Sequence, residues 1–242
     1  MKLEGRVALV TGAGRRVGQA IALALGERGM RVAVHYHESA DGAEQTASRI
    51  RAAGGLADTF RSDLRDVHAC ETLIRDVERS FGALDALINS AAVMVRTPIG
   101  SVTATQWDDM FAVNLRAPFF CAQAAAETLG KRGGAIVNIA DLAGLESWPA
   151  YVPHGISKAG VIQMTRSLAR ALAPGVRVNA VAPGAVLLPE DFGDEETAHL
   201  EGTTPLGRIG APQDVARAVL YLLEADYVTG ETLVVDGGRL VR

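Results

Sequence analysis

Val7-Ala8-Leu9-Val10-Thr11-Gly12-Ala13-Gly14-Arg15-Arg16-Val17-Gly18 is the stretch that decides the fold. Four apolar residues make a strand-length run, a glycine-rich turn follows, and helical apolar spacing then takes over across Arg16–Arg28. A strand that passes through such a turn into a helix is the first half of a βαβ unit. Gly12 permits the tight turn, Gly14 lets the backbone approach a pyrophosphate, and Gly18 allows close packing of helix on sheet. The helix start at Arg15, Arg16 and Val17 offers N–H donors to an anion.

The same alternation continues along the chain. Strand candidates are Val7–Thr11, Arg31–Tyr36, Ala57–Ser62, Ala86–Asn89, Ala135–Ile139, Arg177–Val181 and Thr232–Val235. Helix candidates are Arg16–Arg28, Ala40–Ala53, Val67–Phe81, Thr105–Leu129, Val152–Leu172 and Pro212–Leu223. Strand-helix repetition with short loops predicts right-handed crossovers and a doubly wound parallel sheet in an α/β, three-layer architecture. No low-complexity linker interrupts the series, so residues 1–242 are expected to form one domain. Gly184–Leu206 is polar, acidic and rich in helix breakers (Pro189, Asp191, Gly193, Asp194), and lies between a strand and the next helix. The stretch near 185–206 is expected to be a loop that acts as a substrate lid.

Composition excludes several classes. Of 242 residues, 48% are apolar and only 5% aromatic, with 26 glycines, which suits a parallel sheet covered by helices. A formal net charge of -4 without blocks of like charge argues against a nucleic-acid or membrane-surface partner. The apolar runs are too short to span a bilayer, and Met1–Arg6 leads into a strand without a signal-peptide pattern. Cys70 and Cys121 lack metal-ligand spacing and read as free, buried thiols. A cytoplasmic location, no bound metal and a small-molecule substrate are the expectations.

The series Thr11-Gly12…Gly18, Asp63, Asn89-Ser90-Ala91-Ala92, Asn114, Lys158, Asn179…Pro183-Gly184 and Asp236-Gly237-Gly238 resembles the short-chain dehydrogenase/reductase family over essentially the whole chain. The resemblance implies a Rossmann-type seven-stranded parallel sheet, a nicotinamide coenzyme, and assembly as a homotetramer or homodimer. It implies that Asp63, followed by Leu64, binds the adenine amino group, that Asn89, Ser90 and Ala91 line the adenosine pocket, and that Pro183 and Gly184 shape the nicotinamide pocket. Arg16 and the run His35-Tyr36-His37-Glu38-Ser39 look like the pteridine reductase branch. An acidic residue ending the second strand selects NAD, whereas a basic site accepts the 2′-phosphate of NADP. Here Arg16, His37 and Ser39 can surround a phosphate, and Glu38 opposes one. NADP(H) is the favoured coenzyme and NAD(H) the alternative.

The catalytic slot is unusual. The family places Tyr and Lys at i and i+4 on one helix, with Lys binding the nicotinamide ribose and Tyr donating a proton. This chain has Tyr151-Val152-Pro153-His154-Gly155-Ile156-Ser157-Lys158, with His154 in the tyrosine position. By resemblance Asn114 supports a proton relay, and Asp141, thirteen residues before His154, occupies the slot of the polar helper. Three readings stay open. His154 acts as acid, since imidazole titrates near neutrality and a carboxylate at Asp141 favours its charged form; Tyr151 supplies the phenol from three residues earlier; or the chemistry is lost and a nucleotide-binding fold remains. On the substrate side, Met94 stands where the pteridine branch has an aromatic. Trp148, Tyr151, Leu187, Leu188 and Phe192 would complete a mostly apolar pocket. The apolar stripe Met110, Phe111, Val113, Ala117, Phe120 and Cys121 is expected to cover its own sheet with one half and a partner subunit with the other.

Overall fold

A computed structural model describes residues 1–187 and 193–241. Seven strands form one parallel sheet in the order β3-β2-β1-β4-β5-β6-β7. They are β1 Val7–Val10, β2 Arg31–Tyr36, β3 Ala57–Arg61, β4 Ala86–Asn89, β5 Ala135–Ile139, β6 Arg177–Pro183 and β7 Thr232–Val235. Helices α1 Arg16–Glu27, α2 Ala40–Ala52, α3 Val67–Phe81, α4 Ala104–Phe111, α5 Ala117–Arg132, α6 Val152–Leu172, α7 Asp194–Gly202 and α8 Pro212–Glu224 connect them. The doubly wound α/β class read from the alternating pattern is the class observed.

Strand residues alternate between two cores, as a period of two requires. Ala8 and Val10 of β1 join Ile21, Ile50 and Leu222 from α1, α2 and α8 on one face. Val7 and Leu9 join Cys70, Ile74, Cys121 and Leu129 from α3 and α5 on the other. Both cysteines are free and fully buried in that second core. Chain order reverses between β1 and β4, and ligands bind in open α/β sheets at the carboxyl ends of strands flanking such a reversal.

Two elements differ from expectation. The single helix read over Thr105–Leu129 is instead α4, a wide π turn at Ala112–Arg116, and α5. Pro118 has no N–H to offer the carbonyl four residues earlier, that of Asn114, so the regular ladder is interrupted there. The break puts Asn114 on a distorted turn facing α6. Part of the stretch read as an irregular lid is the helix α7. Its start is stabilised by Glu196, whose carboxylate accepts from Gly193 N at 3.0 Å, and by Asp194 and Glu195 against the positive helix end. No residue of α7 is buried, which is why its sequence shows no apolar face. Leu188 and Phe192 lie outside the described residues. Among the described residues no helix is long and apolar enough to cross a membrane, and no group of three or more metal-ligating side chains converges.

Candidate active site

The cleft expected to hold a coenzyme lies where β1 and β4 diverge. Thr11 Oγ1 accepts from Ser90 N (2.9 Å) and Ala91 N (3.0 Å), tying the two carboxyl ends together. Gly12 has φ +67°, and a Cβ there would sit 2.8 Å from Ala91 Cα, so only glycine fits. A Cβ at Gly18 would lie 2.2 Å from Gly12 O, which brings the start of α1 against the turn. Gly14 departs from its expected role. Its missing side chain makes room for Ser39 O, 2.9 Å from where a Cβ would be, so it packs the turn on the start of α2. Arg16 adopts φ 54°, a left-handed conformation costing about 1 kcal/mol in a non-glycine residue. Its Nη2 donates to Leu187 O at 3.1 Å, bridging the turn to the segment leaving β6.

Several residues expected to touch the coenzyme are placed otherwise. His35 is 2% exposed and lies beneath the turn. Its Nδ1 accepts from Gly12 N at 3.1 Å and its Nε2 donates to Ser62 O at 3.1 Å, so neither nitrogen is left to face a ligand. Burial pushes its pKa down to about 4. The ordinary value is higher, so on acidification the unfolded chain takes up this proton before the folded one. The stabilisation is complete above about pH 6.5 and is lost as pH falls toward 4, by about 3 kcal/mol in total. Urea unfolding at pH 7.5 and pH 5 is expected to show a smaller acid-induced loss in His35→Phe than in the unsubstituted protein.

Asn89 also turns inward. Its Nδ2 donates to Asn138 Oδ1 (2.9 Å), and Asn138 Nδ2 donates to Thr165 Oγ1 (2.9 Å), a buried polar chain joining β4, β5 and α6. Leu64 is buried, and Tyr36 ends β2 packed on the core. Asp63 is engaged by Arg65, whose Nη2 donates to it at 2.8 Å, and that pairing pulls its carboxyl down to about 2. His37 lies 3.7 Å from both Glu38 and Asp63, and Ser39 caps the approach to α2. The positions expected to hold a 2′-phosphate thus carry carboxylates beside the basic groups. At the far end Pro183 closes β6, and Gly184 N donates to Val235 O at 2.9 Å.

All four residues expected to be catalytic meet at the corner between the end of β5 and the start of α6. Asp141 follows β5, and its Oδ1 accepts from Ala143 N at 2.8 Å, which orients the carboxylate. His154 and Lys158 lie on one face of α6, both buried. Asn114 Oδ1 accepts from Val93 N at 2.8 Å. Its two amide hydrogens go to Val93 O (2.9 Å) and Ser157 Oγ (3.1 Å), while the Ser157 hydroxyl donates to His154 O at 2.7 Å. His154 Nδ1 lies 3.3 Å from Val93 O and 3.5 Å from Asn114 Nδ2, and the ring's tautomer decides which of the two it bonds. The other ring nitrogen, Nε2, faces Asp141. That atom has no hydrogen-bond partner among the described residues, and lies 3.6 Å from Asp141 Oδ2.

Lys158 Nζ donates to Ile139 O at 2.8 Å. Burial lowers its pKa to about 8, against an opposing pull from Asp141. Ser157 and the backbone groups of Val93 and Ile139 were not among the expected site residues. Backbone groups leave no sequence signature; Ser157 does have one, its place three residues after His154 on the same helix. Around this corner Met94 is 47% exposed, Trp148 and Tyr151 meet edge to face at 6.2 Å, and Trp148 Nε1 donates to Glu146 at 3.0 Å.

Known proteins share this architecture. Residues 12–239 match the family described as Enoyl-(Acyl carrier protein) reductase. The chain is 37% identical over 237 residues to the 3-oxoacyl-[acyl-carrier-protein] reductase FabG of Staphylococcus aureus, covering 96% of each. It is 37% identical over 245 residues to 3beta-hydroxysteroid dehydrogenase 1 of Eggerthella lenta, covering 98% of this chain and 94% of that one. A dehydrogenase/reductase from Sinorhizobium meliloti 1021 superposes with a TM-score of 0.92 at 37% identity, over 98% and 97% of the two chains. A short-chain dehydrogenase/reductase from Serratia marcescens gives 0.93 at 33% identity over all of both. The chain belongs to the short-chain dehydrogenase/reductase family. It is an enzyme, an oxidoreductase of that family.

Proposed function

We propose that the chain is an NADP(H)-dependent reductase of a carbonyl or cyclic imine, such as a ketone or a pterin, with His154 donating the proton through Nε2. The observation that carries this reading is the buried, unpartnered Nε2 set 3.6 Å from Asp141 Oδ2. Nε2 is the ring nitrogen beside Asp141, and Nδ1 is turned toward the Val93 carbonyl. The relatives named for 3-oxoacyl and 3β-hydroxysteroid substrates act at oxo or hydroxyl carbons, in line with carbonyl reduction.

The glycine turn suits the pyrophosphate of a nicotinamide dinucleotide, because it lies at the carboxyl end of β1, beside the chain reversal to β4 and at the start of α1. Gly12, Arg15, Arg16 and Val17 would hold the pyrophosphate, Ser90 and Ala91 the adenosine, Pro183 and Gly184 the nicotinamide, and Lys158 its ribose. The bound coenzyme supplies hydride to the substrate carbon. Arg16, His37 and Ser39 favour NADP(H), and Glu38 at 87% exposure can swing away from a phosphate. Turnover of NADPH and NADH against diketones, quinones and pterins tests the reading; NADPH oxidation with at least one carbonyl or imine is expected. Tight coenzyme binding without oxidation on any of them would refute it.

Helix α7 and the segment before it would serve as the lid. Assembly as a homodimer or homotetramer would use the apolar groove of about 410 Å³ on α5 and α6, lined by Leu115, Phe119, Phe120 and Met164. Phe119, 40% exposed, is the side chain to test. Phe119→Glu is expected to shift the mass measured by light scattering toward a smaller species.

A further inference from the structure

We infer that His37 makes the choice of coenzyme depend on pH: its imidazole takes up a proton when the 2′-phosphate of NADP(H) binds, whereas NAD(H) binds without one. The inference rests on the reading of this cleft as a coenzyme site and adds a regulation to it. The segment that carries His37 lies at the edge of the cleft. Ala13 N of the glycine turn donates to His35 O at 2.8 Å, and Gly14 packs against Ser39 O. Between those two anchors His37 stands between carboxylates, with Nδ1 3.7 Å from Glu38 and Nε2 3.7 Å from Asp63. Its side chain is 35% exposed, so solvent supplies the proton.

The neighbouring charges decide the sign. Arg65 grips Asp63 through Nε and Nη2, and Arg16 donates to Leu187 O. That pairing with Arg65 pulls the Asp63 carboxyl down to about 2, so it stays ionised near neutrality. His35 lies on β2 beside them and is kept neutral by burial, which lowers its pKa to about 4. Asp109 of α4 adds negative charge near Arg65. With a neutral imidazole the carboxylates outnumber the paired guanidinium, and a phosphate dianion is repelled. Protonation of His37 offsets that excess and leaves both ring nitrogens as donors, whichever tautomer the free ring holds. A phosphate therefore binds together with a proton. The ribose diol of NAD(H) brings no charge, and its hydroxyls donate to a carboxylate such as Glu38 at the end of the second strand.

The test is calorimetry of NADP⁺ and NAD⁺ binding to the full chain from about pH 6.5 to 9, in buffers of low and high ionisation enthalpy. NADP⁺ affinity is expected to fall with rising pH, by up to about tenfold per unit where a whole proton is linked, while NAD⁺ affinity changes less than about twofold. The buffer dependence of the heat is expected to show proton uptake with NADP⁺ and none with NAD⁺. His37→Asn removes the pH dependence and the uptake. The phosphate's own titration, near pH 6, is common to both proteins, so their difference isolates the imidazole. Glu38→Gln is expected to tighten NADP⁺ and loosen NAD⁺. An NADP⁺ to NAD⁺ affinity ratio that does not move with pH, or an uptake that persists in His37→Asn, would overturn the inference and leave the coenzyme site standing. Failure of both coenzymes to bind at any pH would overturn the reading of the cleft and the inference with it.

Discussion

Lys158→Met is expected to lower kcat/KM by about 10³-fold while making the folded protein more stable, the two effects having one cause. The ammonium of Lys158 is buried, and burial pulls its pKa from 10.5 to about 8. Holding that proton at pH 7 therefore costs about 3 kcal/mol of stability. Methionine removes the cost but leaves Ile139 O without its 2.8 Å donor, a loss of about 1–2 kcal/mol. The difference favours the variant by about 1–2 kcal/mol at pH 7. The sign with pH follows. Between about pH 8 and 10.5 the unfolded chain holds a proton that the folded chain has lost, so stability of the unsubstituted protein rises with pH in that window. Urea unfolding of both proteins at pH 7 and pH 10 checks this, with the advantage of Lys158→Met shrinking at the higher pH. A variant less stable at pH 7 would show that the buried ammonium is not strained.

His154→Ala is expected to lower ketone reduction by about 10²–10⁴-fold, the usual worth of a positioned acid. The substitution leaves Asp141 and Lys158 in place, because neither depends on the imidazole for its own hydrogen bonds. His154→Tyr is the complementary case. A phenol there offers a proton donor of a different kind, and strong activity would show that Asn114, Asp141 and Lys158 form a competent frame. The two variants separate a lost acid from a collapsed site.

The fold was legible because its signal is repeated. Seven apolar runs alternate with amphipathic ones, and each strand from Arg31–Tyr36 to Thr232–Val235 begins at the residue its pattern implies. Two places were not legible. Thr105–Leu129 reads as continuous in apolar spacing, and the break at Ala112–Arg116 comes from one missing N–H at Pro118. Helix α7 has no buried face to reveal it, only a cap and an acidic first turn. Within the candidate site, the convergence of Asn114, Asp141, His154 and Lys158 was readable because polar and charged side chains at those spacings stand out in the sequence. His35 and Asn89 were misplaced for the opposite reason. Polar residues beside a cleft look alike in sequence whether they face a ligand or, as here, brace Gly12 and Asn138 from beneath.

The pH–rate profile of ketone reduction, measured for the unsubstituted protein and for His154→Ala, tests most directly that Nε2 of His154 is the proton donor. The account predicts a rate that falls with rising pH in the unsubstituted protein, and a much lower rate without that limb in His154→Ala. Full activity of His154→Ala at every pH would contradict it.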